Sequence, residues 1–223
     1  MRLHTLLVIG LLAAAPAQAA DDPLEAVNRR VHALNQVLHS HVFGPAAALY
    51  RTHTPAGVQQ GIGNAIANIA EPVTAISAAL AGEFGQAGNA AARFAINTTL
   101  GLGGVRDAAE AMGYPRAPMT LSDALCRWGV PSGPFLMLPL LGPSTLRDAS
   151  ALVATSTALA QGIGGDAVVA LGLTEQLHDY AELHPSLERI GAESLDPYAT
   201  YRSAYLQRRA ASCPADAAAA SED

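Results

Sequence analysis

Apolar residues recur at helical spacing near the start of the chain: Leu24, Val27, Val31, Leu34 and Leu38. Asp21-Asp22-Pro23 before them reads as a helix start, acidic around the N-cap with proline in the first turn. Asn28 and Asn35 lie seven apart on or near that stripe, read as its edge; burial would oblige both amides to find partners. Gly44-Pro45 is expected to break the helix. A second helical pattern runs from Pro55 to Leu80. Its small residues Gly57, Gly61 and Ala65 form a ridge beside Val58, Ile62, Ile66 and Ile69, and Glu71-Pro72 is expected to kink or interrupt it. A third runs from Phe84 to Leu100 and ends at Gly101-Leu102-Gly103-Gly104. Val105-Arg106-Asp107 then opens a short helix to Met112.

The periodicity stops between Trp128 and Asp148. This stretch holds Pro131, Pro134, Pro139 and Pro143, three glycines and a run of large apolar side chains. Each proline lacks an N–H and crowds the preceding turn, so a continuous helix is excluded. Phe135–Leu138 is short enough for a strand closed by proline on both sides. Such a segment needs cover from a core, a partner or lipid.

Helical signals then resume. Ser144-Thr145 reads as an N-cap for a helix beginning Leu146-Arg147-Asp148. From Ala149 to Leu173 the single charge is Asp166. Because Gly164-Gly165 divides that run, two short helices, buried or interfacial, are preferred to one spanning helix. A polar helix follows to Tyr180 and another starts at Pro185. Asp196-Pro197 starts the last, with Tyr198, Tyr201 and Tyr205 on one face. No alternating strand–helix pattern and no repeat is present, so the chain is read as all-α in a single domain.

Composition changes the picture in one direction. Half of the 223 residues are hydrophobic and 14% are charged, against about 25% in an average soluble domain. Small apolar residues permit the close helix approach seen in membranes, although a GC-rich genome also inflates alanine and glycine, and the thirteen arginines occur without one lysine. The net charge of −6, without a basic tract, argues against nucleic acid as a partner.

At the N-terminus, Arg2 and His4 precede the apolar run Leu6–Ala15 and then Ala17-Gln18-Ala19. Residues 1–19 are therefore expected to be a secretory signal. No cysteine precedes Cys126, so lipidation behind that signal is not expected. Residues 20–210 form the helical domain, and 211–223 are expected to be a disordered, alanine-rich acidic tail. Export permits a Cys126–Cys213 disulfide; two separate thiols are the alternative.

Candidate chemistry is sparse. Gly162-Ile163-Gly164-Gly165-Asp166-Ala167 fits a loose dinucleotide pattern but follows a helix, not a strand, so no nucleotide site is assigned. His39 and His41 are two apart, and His53, His178 and His184 do not stand at a metal spacing, so no metal or other cofactor is expected. Glu71, Glu83 and Glu110 form no evident acid/base pair, and Ser144 is not in a nucleophile elbow. Arg93, Arg106, Arg127 and Arg147 sit in weakly charged surroundings. Each either contacts a lipid phosphate or pairs within the protein, Arg106 with Asp107 and Arg147 with Asp148 being the nearest choices.

Four separated motifs resemble the MlaA/VacJ family. They are Asp22-Pro-Leu-Glu-Ala-Val-Asn-Arg29, Arg93-Phe-Ala-Ile-Asn-Thr-Thr-Leu-Gly-Leu-Gly-Gly104 with Asp107, the Trp128–Asp148 stretch, and Asp196-Pro-Tyr198 with Tyr205-Leu-Gln-Arg208. The likeness covers about residues 22 to 209. It implies a ring of helices in the inner leaflet of a Gram-negative outer membrane, around an amphipathic channel. It also implies non-enzymatic removal of misplaced phospholipid, delivery to a periplasmic carrier of the MlaC type, and association with trimeric porins. Family members are commonly lipoproteins, and this chain lacks the lipobox cysteine. Ser122-Asp-Ala-Leu125 replaces a usual Gly-Gln-Thr-Leu, and Pro131 replaces an expected glycine.

On this reading the channel or hinge candidates are Arg93, Asn97, Arg106, Asp107, Trp128, Gly133, Pro134, Arg147 and Asp148. Arg147→Glu is expected to impair transport more than export. A soluble periplasmic lipid- or protein-binding module, chaperone-like in action, is the alternative, and a periplasmic hydrolase is the least favoured class.

Overall fold

The computed structural model describes residues 22–213 and Asp216. The expected signal at 1–19 and most of the expected tail lie outside them. The chain is mostly helical and contains one two-stranded hairpin. Helices α1 (Glu25–Leu38) and α2 (Gly44–His53) are joined by a π-helical turn, His39–Phe43. The expected break at Gly44-Pro45 is therefore absent. Pro45 occupies the first turn of α2, where a missing N–H leaves no bond unmade.

Next come α3 (Ala56–Leu80), α4 (Phe84–Thr99), α5 (Ala108–Ala111) and α6 (Leu121–Arg127). Pro72 lies inside α3, which continues past it as one helix. Packing along α4 offsets the hydrogen bond that the proline removes. α6 starts with a reciprocal capping box between Thr120 and Asp123.

Strands β1 (Phe135–Leu138) and β2 (Gly142–Thr145) pair antiparallel, Phe135 opposite Thr145 and Leu138 opposite Gly142. Thr145 ends β2 and caps α7 (Leu146–Ile163), accepting the Asp148 N–H. α8 runs without interruption from Gly165 to Glu193, so the separate helices expected after Leu173 are one. Its packing on α2 and α7 outweighs the proline at 185. Gly164, at φ +90°, makes the expected division between α7 and α8. α9 runs from Pro197 to Ser212, with Asp196 capping it through Ala199 N–H. It thus extends past 210, where the tail was expected to begin.

Helix α3 packs on α6, α6 on α7, α7 on α8, and α8 back on α3, so four helices close a ring. Among the described residues, no helix is long and apolar enough to cross a membrane.

The hairpin is fixed by the two asparagines of α1. Asn28 donates to Phe135 O at 3.1 Å and accepts from Met137 N at 2.8 Å. Asn35 repeats the pattern with Leu138 O at 2.9 Å and Leu140 N at 2.8 Å. Seven residues advance a helix by about 10 Å, and three residues advance a strand by about the same distance. Each amide therefore meets the next carbonyl–amide pair in register. Asn28 and Asn35 are buried, whereas Leu24, Val27 and Leu34 of the apolar stripe are exposed. Val31 of the same stripe packs against Phe135, Met137 and Tyr198, so the covered side of α1 is the one that meets the hairpin, and the asparagines expected at the stripe's edge lie at its centre.

Candidate functional site

The same inversion extends through the molecule. Arg93 and Arg147 are buried, with side chains about 1% exposed. Phe84, Leu102, Val153, Val169 and Ile76 are each more than 60% exposed. Burying a charge demands pairing and hydrogen bonds, and both arginines have them.

Arg93, on α4, donates through Nε to Glu71 at 2.6 Å and through Nη2 to Asp107 at 2.8 Å. Nη1 reaches the Tyr114 carbonyl at 2.6 Å and Glu110 at 3.4 Å. Asn97, one turn further along α4, donates to Asp107 and accepts the Ala109 N–H. Asp107 also caps α5 through Glu110 N–H. The pairing of Arg93, Asn97 and Asp107 in one motif thus has a structural basis: they tie the loop after α4 onto α3 and α4. Burial alone would lower the Arg93 pKa, but the Asp107 and Glu71 carboxylates overcome this and raise it. For Asp107, burial works upward, and the Arg93, Glu110 N–H and Asn97 contacts bring it below its ordinary value of 3.8. Gly104, at φ +93°, lets this loop cross α3: a Cβ there would lie 2.6 Å from Asn68 Cβ.

Arg147 is held differently. It donates to Asp216 through both Nη atoms, at 3.0 and 2.7 Å, and to Val130 O at 3.0 Å. Its Nε reaches Ser122 Oγ at 3.2 Å and Asp148 Oδ1 at 3.3 Å. Asp148 accepts from Ser122 and Tyr205 and pairs with Arg209, which also bridges to Asp123 at 2.7 Å. Cys213 is disulfide-bonded to Cys126, with Cα atoms 5.9 Å apart. Of the expected tail, then, Cys213 and Asp216 are fixed beside Arg147. Arg147→Glu would set a third carboxylate against Asp148 and Asp216.

The remaining candidates are scattered. Arg106 is exposed, and Asp107 pairs with Arg93 instead. Arg127 pairs with Glu83 at 2.6 Å. Trp128 is exposed and donates to Leu80 O at 2.9 Å. Gly133 and Pro134 begin the hairpin: Gly133 has φ +69°, and a Cβ there would sit 3.1 Å from Leu146 Cβ. The Pro134 carbonyl accepts the Leu146 N–H. Glu71, Ser122, Asp123, Arg209 and Asp216 were not among the site candidates. The Asp123 capping box was legible at that spacing, but its pairing with Arg209, 86 residues away, had no local signal.

The two Asp-Pro motifs also meet. Arg29 pairs bidentately with Asp196, at 3.1 and 2.7 Å, and its guanidinium lies 4.5 Å from the Tyr198 ring centroid. Asp22 accepts from Tyr198 OH and Asn28.

A cleft of about 330 Å³ opens beside the Arg147 cluster. Leu138, Leu141 and Leu152 give it apolar walls, and Asp148, Arg208 and Arg209 give it a charged end. Among the described residues no cluster of potential ligands could hold a metal ion.

Paired charge inside and large apolar side chains outside define a helical protein of inverted polarity. The chain belongs to the MlaA family: the family model described as MlaA lipoprotein matches residues 20–212. It is 32% identical over 219 residues to the intermembrane phospholipid transport system lipoprotein MlaA of Shigella flexneri, covering 93% of this chain and 85% of that one. It is 31% identical over 215 residues to the protein of the same name from Escherichia coli K12, with the same coverage. An uncharacterized Rickettsia felis protein is 32% identical over 194 residues, 86% of this chain and 77% of that one. A solved structure described as the structural basis for maintenance of bacterial outer membrane lipid asymmetry superposes with a TM-score of 0.74 at 31% identity, covering 84% of this chain and 96% of that chain.

Proposed function

We propose that this protein is a non-enzymatic component of phospholipid transport at the outer membrane. The inverted polarity carries the proposal: exposed Phe84, Leu102, Val153 and Val169 would be costly in water and suit contact with acyl chains. In this reading the helices lie within the periplasmic leaflet, with the exposed apolar side chains against its acyl chains. Residues 1–19 direct export, and the apolar surface supplies the anchor without an attached lipid.

In this reading a phospholipid misplaced in the outer leaflet enters the cleft bounded by α3, α6, the hairpin, α7 and α9. Its head group tracks the polar end of the cleft at Asp148 and Arg209 while its chains follow Leu138, Leu141 and Leu152. A periplasmic carrier of the MlaC type receives it, and trimeric porins support the protein in the membrane. No bond is made or broken; lipid asymmetry is the result.

The test is envelope fractionation followed by mass spectrometry of co-purifying lipid. Salt-resistant, detergent-dependent extraction with bound phospholipid is expected. Recovery in the soluble periplasmic fraction without lipid would reverse the reading in favour of a soluble binding module.

A further inference from the structure

The arginines that the sequence offers as phosphate contacts are not available for that task at the cleft. Arg93 and Arg147 are buried against carboxylates, and Arg127 pairs with Glu83. A lipid phosphate could reach one of these only by displacing a partner and leaving that carboxylate unpaired. Arg106 is exposed but does not line the cleft.

Arg208 does line it. Tyr205 and Arg209, one turn apart on α9, both reach the Arg147 cluster: the Tyr205 hydroxyl donates to Asp148, and Arg209 bridges Asp148 and Asp123. Arg208 is three residues beyond Tyr205, on the same side of the helix. It is exposed, and among the described residues no ion pair or hydrogen bond holds its guanidinium. The guanidinium carbon lies 5.8 Å from the Tyr205 ring centroid. A solvated cation of this kind can take a new anion without giving up an old one.

The surrounding charges define how it would do so. Arg147 and Arg209 stand among Asp123, Asp148 and Asp216, one cation short of balance. Arg208 makes up the difference, so this end of the cleft carries no net charge. A phosphate is therefore recognised by contact rather than drawn in by a long-range field. The guanidinium suits contact, because its planar fork of N–H donors matches two oxygens of a phosphodiester. Leu138, Leu141 and Leu152 line the same cleft and offer apolar walls to the chains attached to that phosphate.

We propose that Arg208 is the phosphate contact of the cleft, pairing through its guanidinium with the phosphodiester of a phospholipid head group. The assignment of lipid as the source of the phosphate rests on the transport reading above. Arg208 selects a phospholipid over a neutral lipid with the same chain, and does not distinguish one phosphodiester head group from another.

Calorimetric titration of the detergent-purified full chain tests this. The probes are lysophosphatidylglycerol, lysophosphatidylethanolamine, a monoacylglycerol of the same chain length, and glycerophosphoglycerol as a phosphodiester without a chain. Both phospholipids should bind about fivefold more tightly than the monoacylglycerol, the upper end for an exposed ion pair. Arg208→Gln should bring both to the monoacylglycerol affinity and leave the monoacylglycerol unmoved. Arg208→Lys keeps the charge, loses the fork and should fall between. The denaturant midpoint of each variant should match the parent, since the side chain is exposed and unpaired among the described residues. Arg51→Gln, at an exposed position on α2 outside the cleft lining, should leave every affinity unchanged. Glycerophosphoglycerol binding that Arg208→Gln abolishes would support the contact with free phosphodiesters as a further source, and its failure to bind would support lipid as the source. A preference that is absent, confined to the anionic lipid, unmoved by Arg208→Gln or moved equally by Arg51→Gln overturns the phosphate inference and leaves transport standing. If neither the phospholipids nor the monoacylglycerol bind, the transport reading fails and the inference with it.

Discussion

Arg93 and Arg147 are both buried, and each is surrounded by carboxylates and loop carbonyls. Their partners come from very different distances along the chain. Those of Arg93 lie between Glu71 and Tyr114, on two adjacent helices and the loop beyond them. Arg147 is closed by Asp216, 69 residues away, beside a disulfide that spans 87. The first cluster is closed by neighbours in sequence and the second by the far end of the chain, so loosening the last helix reaches Arg147 and not Arg93.

Substitutions should separate the two. Arg93→Met leaves Glu71 buried and Asp107 half-buried without their cation, and should cost about 3–5 kcal/mol, read as a fall in Cm on denaturant unfolding. Cys213→Ser should cost about 2–4 kcal/mol through the lost cross-link. Combined with Asp216→Asn it should be less than additive, because both loosen the same segment, whereas combined with Arg93→Met it should be additive. Full additivity in the first pair would remove the distinction between the clusters. Asn28→Ala strands Phe135 O and Met137 N, and should cost about 1–3 kcal/mol with loss of amide-exchange protection at Met137.

Acid tests the Arg93 cluster more gently. The Asp107 pKa is lowered in the folded chain, so its stabilising effect is complete above the ordinary value of 3.8 and is lost as pH falls through the depressed value. Tm should therefore stay level from neutral pH down to about pH 5 and then decline. In Asp107→Asn it should start lower and decline less steeply. Leu102→Asp has the smallest expected effect on stability, within about 0.5 kcal/mol for an exposed position. It should nevertheless shift the protein toward the soluble fraction; unchanged partition would remove Leu102 from the membrane-facing surface.

Periodicity and punctuation made most of the helices legible. The cap at Thr145, the boundary at Gly164 and the start at Asp196 follow from local chemistry that the residues display. Which face of α1 is buried did not follow, because Leu34 and Asn35 exchange roles once a hairpin about a hundred residues away offers its backbone. Arg93, Asn97 and Asp107 were readable as a group through their shared motif. The Arg147 cluster was half readable: Asp148 is adjacent, but Asp216 lies in a stretch whose composition signals disorder. Even Pro72 and Pro185 mislead, since neighbouring helices supply what the missing backbone bonds do not.

The asparagine grip on β1 has a consequence for how copies of the chain meet. A hairpin exposes two unpaired margins, and an apolar one such as Phe-Leu-Met-Leu is a template onto which another copy can add. Asn28 occupies Phe135 O and Met137 N, and Asn35 occupies Leu138 O and Leu140 N. Once α1 is in place, those four backbone groups have no bonds left to offer a second chain.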